Sequence, residues 1–523
     1  MANTNLFKSL AGKLIPATTT KNAAGGVAYE RSPKSALAQL SMTGCLNGTY
    51  YAQAKNQLEA ILKLSQEIEP EWIAKLAVVS RKQGHMKDVP ALLLASLAAR
   101  DQASAAKVFP IVVDTPKMLR NFVQIVRSGT TGRKSLGSAP RRWVRQWLEN
   151  RSLDQLLNAS VGNQPSLADI VKMVHPKAST PDREAFYGWL IGKEVDPDRL
   201  PESVRTLLAW RCGTLDTVPE AAFELLTDRP LPCEAWKAIA RRAGWQWLRM
   251  NLATLNRHGV FQDESMVRFA AERLRDAQAI AKARVFPYQI LTAWKMAGTD
   301  IPSEIRDALQ DALEISVGNV PSFEGRIVVL PDVSGSMHSP VTGYRPGATT
   351  AVRCVDVAAL VAAAILRRNP SASVIPFKES IVKLDLNSRD SIATNATRMA
   401  SVGPGGTDCS APLRHLNETR AKADLVVFVS DNESWMDPAR GRGTGTMQEW
   451  EKFRSRNPLA KLVCIDLQPN STLQAPDRED ILNVGGFSDQ VFSLLGEFAS
   501  GRLGAGQWEE RIEREGDRLM NAA

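Results

Sequence analysis

The chain has 523 residues, 44% hydrophobic and 23% charged, an ordinary globular composition for roughly two to four domains. No apolar run approaches the ~18–20 residues that span a bilayer, and the opening MANTNLFKSLAGKL lacks the apolar core of a secretory signal, so membrane and exported classes are disfavoured and a cytoplasmic protein is expected. The net charge of +9 is uneven: residues 321–523 hold 23 Lys and Arg against 25 Asp and Glu, so residues 1–320 carry +11, which suggests a polyanionic partner for the first part.

Taken in chain order, Leu37–Leu40, Leu58–Leu64, Trp72–Val79 and Ala91–Ala99 carry apolar residues at three- and four-residue spacing, which predicts amphipathic helices. Pro70, Gly84, Pro90, Pro110 and Pro116 break the pattern at short intervals. Many short helices with short connections suggest stacked helical pairs, although no fixed sequence period is visible.

Between Thr115 and Leu148 there is no acidic residue and there are eight basic ones. The middle of this stretch, Ser128 to Pro140, is small, polar and glycine-rich. It reads as an exposed loop whose N–H and hydroxyl groups can meet phosphates. Arg141-Arg142-Trp143 then opens a helix with Trp143 and Trp147 on one face, where both are expected to anchor the core. Arg133, Lys134, Arg141, Arg142 and Arg145 are the candidate polyanion contacts of this stretch. Further helical runs follow at Leu167–Val174, Val204–Trp210, Ala221–Leu226, Trp236–Trp247 and Met266–Leu274.

The texture changes near Val320, taken as a boundary between a helical part, 1–320, and an α/β part, 321–523. Arg326–Leu330, Ser373–Phe377, Ile381–Leu386, Asp424–Val429 and Lys461–Leu467 are β-rich runs separated by helical or loop segments. Strands alternating with helices indicate a doubly wound α/β domain with a parallel sheet. The six cysteines (Cys45, Cys212, Cys233, Cys354, Cys409, Cys464) form no CxxC and the five histidines no HExxH. Zinc sites and a disulfide scaffold are therefore disfavoured.

Ligands of such sheets bind at the carboxyl ends of strands. There the sequence places Asp332-Val-Ser334-Gly-Ser336, then Thr407 after a glycine pair, then Asp431 after the run DLVVFVS. Carboxylates and hydroxyls are hard oxygen donors suited to Mg²⁺, with Mn²⁺ or Ca²⁺ as alternatives. Two-metal hydrolysis needs more converging carboxylates than this, so the site binds rather than hydrolyses. Asp408 and Glu433 are read as supporting neighbours.

The order DxSxS, Thr, Asp resembles the metal-ion-dependent adhesion site of von Willebrand factor A domains, with Asp332, Ser334, Ser336, Thr407 and Asp431 matching one for one. Asn47-Gly-Thr-Tyr-Tyr51, Gly132-Arg-Lys134, Ser166–Lys177, Ala235–Ala238, Phe286–Leu291, Gly405–Ser410 and Ser430–Glu433 together resemble the TROVE-domain Ro autoantigen family, over about Ser35 to Phe498. The resemblance implies an α plus α/β multidomain fold. In it a ring of HEAT-like helical repeats is closed by the von Willebrand factor A domain. It implies a scaffold of a small ribonucleoprotein, without catalytic activity. Family members bind Y RNA on the basic outer surface and single-stranded 3′ ends of misfolded RNAs in the ring hole. Bacterial members also tether polynucleotide phosphorylase, an exoribonuclease. By the same resemblance His175 and Lys177 contact RNA, although His-Pro-Lys-Ala here departs from the family's His-Leu-Lys-Pro. Lys172, three residues before His175 on the same helix face, is a third candidate. A monomer is expected. The competing reading is an adhesion module whose metal site captures an acidic protein ligand without RNA.

Overall fold

The computed structural model describes residues 15–522, apart from Cys45, Asp228, Arg284, Phe286, Thr299, Pro321, 345–351, 437–441, 487–489 and 503–506. Cys45 and the phenylalanine of the Phe286–Leu291 match thus lie outside the described residues. Two units emerge from the proximity of the chain's parts. One takes in residues 1–68, 271–298 and 303–514; the other takes in 69–270, 299–302 and 515–523. The unit that holds the sheet therefore includes N-terminal chain as well as the segment after Val320.

In the second unit, helices Pro70–Lys82, Asp88–Arg100 and Gln102–Val112 pack on one another, Pro116–Arg127 packs on Asp88–Arg100, and Ser138–Glu149 packs on Gln102–Val112. Local chemistry sets their ends. Pro70 and Pro116 stand in the first turn, where a missing N–H costs nothing, and the Thr115 hydroxyl accepts from the Met118 N–H. Asp101 caps the helix at Gln102 by accepting from Ala103 and Ser104. Pro110, expected to be a breaker, sits instead in the last turn of the helix Gln102–Val112. Trp143 and Trp147 are buried as expected. Trp143 meets Phe109, which meets Phe122 edge to face. The Trp147 indole donates to the Val113 carbonyl at 2.7 Å. The run Trp236–Trp247 divides into helices Cys233–Arg242 and Trp245–Arg257, because Ala243 turns extended before Gly244.

In the first unit the strands are β1 (Thr20–Lys21), β2 (Val27–Glu30), β3 (Ile327–Pro331), β4 (Ser373–Val374), β5 (Leu425–Ser430), β6 (Lys461–Asp466), β7 (Thr472–Leu473) and β8 (Ile481–Gly485). β4-β3-β5-β6-β8 form a parallel sheet, with Val328 opposite Val426 and Val426 opposite Leu462. Helices flank it, as parallel crossovers require. Cys354–Arg368, apolar nearly all round and buried, packs on β3, β5 and the helix Ile392–Ala400. Leu413, Leu416, Met447, Trp450 and Phe453 of the helices Ala411–Glu418 and Gly445–Arg456 cluster with Val328, Leu330, Val426 and Phe428 of the sheet. The run Ile381–Leu386 is not a strand. Only Phe377 and Ile381 bridge, because the chain reverses at Lys378, whose N–H donates to the Ser380 carbonyl. No described helix is long and apolar enough to cross a membrane.

The smaller antiparallel sheet β1-β2-β7 is built partly from N-terminal chain. Just after β2, Arg31 pairs with Asp466 at the end of β6, and both side chains are 2% exposed. Arg31 also donates to Asn470 at 3.2 Å. Removing one partner of a buried pair leaves the other charge without compensation, at a cost of about 3–5 kcal/mol. Arg31→Met should lower the unfolding free energy of this unit by about that much in urea titrations. Adding Asp466→Asn should recover most of the loss. An equal loss in the double variant would contradict the pairing.

Candidate functional site

The three loops expected to hold a metal meet at the carboxyl end of the parallel sheet. Asp332 follows β3 directly, and its N–H donates to the Val429 carbonyl of β5 at 2.9 Å. Its carboxylate accepts from the Ser334 N–H at 2.8 Å and from the Ser430 hydroxyl at 2.6 Å. The Ser334 and Ser336 oxygens stand 3.5 Å apart. Ser336 reaches the carboxylate of Asp431, which follows β5. The Thr407 carbonyl accepts from the Trp435 and Met436 N–H groups at 3.2 and 3.1 Å, tying its loop to the one after Asp431. All five are nearly fully buried.

Backbone geometry explains the local sequence. Gly335 has ordinary helical angles, so no unusual φ demands it. A Cβ there would stand 3.2 Å from the Gly405 carbonyl oxygen, a tight contact that glycine avoids, and the Gly335 N–H donates to that carbonyl. Asn432 has a φ of 63°, a left-handed turn that Asn tolerates. Its side chain donates to Thr472 and accepts from the Gln474 N–H, fixing the turn between Asp431 and Glu433.

The donors are two carboxylates and three hydroxyls. Among the described residues no three His, Cys, Asp or Glu side chains cluster as metal ligands, so an ion here would depend on the hydroxyls as much as on the carboxylates. One carboxylate oxygen of Asp431, Oδ2, is buried with no hydrogen-bond partner. Such an atom is costly unless a cation or donor meets it, so the residues present fit a hard divalent ion. Burial raises the Asp332 carboxyl above the usual range. Burial and the neighbouring Asp332 charge push Asp431 up to about 7. Burial and Asp431 push Glu433 up to about 8.

The supporting neighbours have definite partners. Asp408 accepts from the N–H and hydroxyl of Ser410 and pairs with Arg414 at 3.1 Å, so it caps its loop. Glu433 accepts from the Ala24 N–H at 3.2 Å. The sequence reading missed Ser430, Asp466, Arg31 and Tyr51 at this edge. Burial and the nearby Asp431 raise the Tyr51 phenol above its ordinary range, and Tyr51 lines one cavity with Asp431 and Glu433. The only sequence signal for Tyr51 was its place in the Asn47–Tyr51 segment, which carried no role.

The basic candidates lie in the helical unit. Lys134, Arg141, Arg142, Lys172, His175 and Lys177 are exposed, and Arg133 is half-buried. Among the described residues none of them forms an ion pair. His175 caps the helix Leu167–Val174 in a left-handed conformation, φ 47°. Lys172, His175 and Lys177 line one cavity of about 830 Å³. Lys172 also borders a second, of about 720 Å³, with Arg127. Arg145 joins the two basic segments, because its Nε donates to the Val174 carbonyl at 2.5 Å. Arg145 therefore positions the His175 turn. Arg120, by contrast, is tied to the Val161 carbonyl at 2.7 Å and works inside the stack.

A carboxyl whose folded pKa is raised keeps its proton in the folded chain at pH values where the unfolded chain has lost it. Stability then falls as pH rises through that window. For Asp431 and Glu433 the window runs from the ordinary carboxylate range up to about 7 and about 8. The melting temperature of the metal-free protein should therefore drop by several degrees between about pH 5 and about pH 8. Asp431→Asn and millimolar Mg²⁺ should each flatten the drop. A melting temperature that rises over this range would contradict the assignment.

Residues 326–499 match the family model of the Ro60 vWA domain. RNA-binding protein RO60 of Deinococcus radiodurans is 28% identical over 521 residues, covering 92% of this chain and 96% of that protein. RNA-binding protein RO60 of Caenorhabditis elegans is 24% identical over 269 residues, 48% of this chain and 40% of the relative. The crystal structure of the Deinococcus radiodurans RO (RSR) protein aligns with a TM-score of 0.62 at 25% identity, over 90% of this chain and 100% of that one. The fold, the order of its parts and these likenesses agree: the chain is similar to RO60 proteins over most of its length, and residues 326–499 form a Ro60-type von Willebrand factor A domain.

Proposed function

We propose that this protein is an RNA-binding scaffold of a small ribonucleoprotein, not an enzyme. The observation that carries the reading is the set of exposed cations without acidic partners on Lys134, Arg141, Arg142, Lys172 and Lys177. The names of the relatives support it, since both RO60 proteins are called RNA-binding. Duplex RNA presents phosphates, 2′-hydroxyls and shape rather than readable major-groove edges. Rigid helices that display Arg and Lys suit that target. The proposed RNA on this surface is a structured Y RNA. Single-stranded 3′ ends of misfolded RNAs would enter the opening of a ring of stacked helices, held by charge with little sequence preference. Such a scaffold would serve RNA maturation, quality control and decay in the cytoplasm, as a monomer that hands RNA to an exoribonuclease such as polynucleotide phosphorylase.

The metal centre belongs to the proposal as a binding element. Asp332, Ser334, Ser336, Thr407 and Asp431 would hold Mg²⁺, which supplies a hard Lewis-acidic anchor for an oxygen ligand. The orphaned Asp431 oxygen supports that assignment.

Counterion release makes phosphate binding steeply salt-dependent, and each phosphate contact removed lowers the salt slope by about 1. Lys134→Ala, Arg141→Ala and Arg142→Ala together should weaken binding of a structured RNA with a single-stranded end. The slope of log affinity against log salt should fall by about 3. Filter binding across a salt series reads both. An unchanged affinity and slope would remove this surface from the proposal.

A further inference from the structure

The metal loops are covered by chain from far away in sequence. The Asn22 side chain donates to the Ser434 carbonyl at 2.6 Å, and Glu433 accepts from Ala24. Gly26 lies so close to this loop that a Cβ there would stand 2.0 Å from the Ser434 carbonyl oxygen. The Gly48 carbonyl accepts from the Tyr344 N–H at 2.7 Å, and Asn47 donates to the Thr342 carbonyl. Just after the second pair of anchors comes Tyr51, its ring packed edge to face on Tyr50 at 4.7 Å. Ser336, Asp431 and Glu433 lie close enough to act on its hydroxyl. Tyr51, Asn56, Asp431 and Glu433 share the lining of a cavity of only about 290 Å³. Asp431, whose Oδ2 is buried without a hydrogen-bond partner, is among these lining residues.

An adhesion-type site keeps one side open for the carboxylate of a partner. Here the protein's own Tyr51, close behind the Gly48 anchor, borders the cavity that Asp431 and Glu433 line. We propose that Tyr51 closes the metal centre from within: its phenol hydroxyl serves the bound ion, directly or through one water, in the place an external carboxylate would take. The ion then clasps the N-terminal segment to the carboxyl edge of the sheet, and Tyr51 decides what else the centre accepts. A small carboxylate is admitted only when Tyr51 is shortened. This inference rests on the divalent-ion reading of Asp332, Ser334, Ser336, Thr407 and Asp431.

The test titrates the full-length protein with Mn²⁺, following free Mn²⁺ by electron paramagnetic resonance, with and without acetate as the carboxylate probe. Wild type should bind one Mn²⁺ with an affinity that acetate leaves unchanged. Tyr51→Phe keeps the ring and removes only the hydroxyl, and should weaken Mn²⁺ binding by about three- to tenfold, the loss of about one hydrogen bond or ligand contact. Tyr51→Ala should bind Mn²⁺ more tightly when acetate is present. An unchanged affinity in Tyr51→Phe, or a wild-type affinity that rises with acetate, overturns the role of Tyr51 while leaving the metal centre standing. Asp332→Ala separates the two levels: if wild type binds Mn²⁺ no better than Asp332→Ala, the metal reading fails and the role of Tyr51 falls with it.

Discussion

Two carboxylates, Asp332 and Asp431, are buried side by side at the carboxyl edge of a parallel sheet, and no described residue pairs a cation with either. That arrangement is unfavourable by itself, because burial disfavours charge and like charges repel. The surrounding structure is organised to sustain it. Ser430 and the Ser334 N–H donate to Asp332, the left-handed Asn432 fixes the turn after Asp431, and Gly335 lets the Gly405 loop approach. Arg31 is brought from the N-terminal chain to balance Asp466 one strand away. The fold thus balances Asp466 and leaves the neighbouring Asp332 and Asp431 without a cation among the described residues.

The helical unit follows the opposite logic. Its helices bury one face and display the other. Trp143 and Trp147 lock the helix Ser138–Glu149 into the stack, and that same helix turns Arg141 and Arg142 outward. Arg145 spends its guanidinium on the Val174 carbonyl, which sets the position of the His175 turn beside it. Rigidity and exposed charge thus come from one amphipathic pattern. A polyanion partner needs no deep pocket on such a surface, only fixed cations at phosphate spacing.

Much of this was legible in the sequence, and the illegible parts have physical reasons. Continuous apolar runs gave away β3, β5 and β6, because buried parallel strands carry no polar face. The DxSxS loop and the later Thr and Asp could be read because strand ends place them together. The short β1, β2 and β7 could not be read, since two- to four-residue strands carry too little pattern. β8 was missed because Asn483 interrupts its apolar run; in the structure that side chain donates to the Ala475 carbonyl at 3.0 Å. The alternation in Ile381–Leu386 misled, because period two marks a strand only where a neighbour is available to pair. Arg31 and Tyr51 were hidden more deeply. Their partners lie several hundred residues away in sequence, and local pattern carries no information about such contacts. Arg145 was legible as a cation but not as a tether, because a side-chain bond to a distant carbonyl leaves no sequence trace.

The central claim is that the basic helical surface holds RNA. Purification of the protein from its native cells at low salt, followed by its ultraviolet absorbance ratio and sequencing of whatever accompanies it, tests that most directly. The account predicts one abundant small structured RNA that is released when salt is raised. A nucleic-acid-free protein that also fails to bind a structured RNA with a single-stranded end would contradict it.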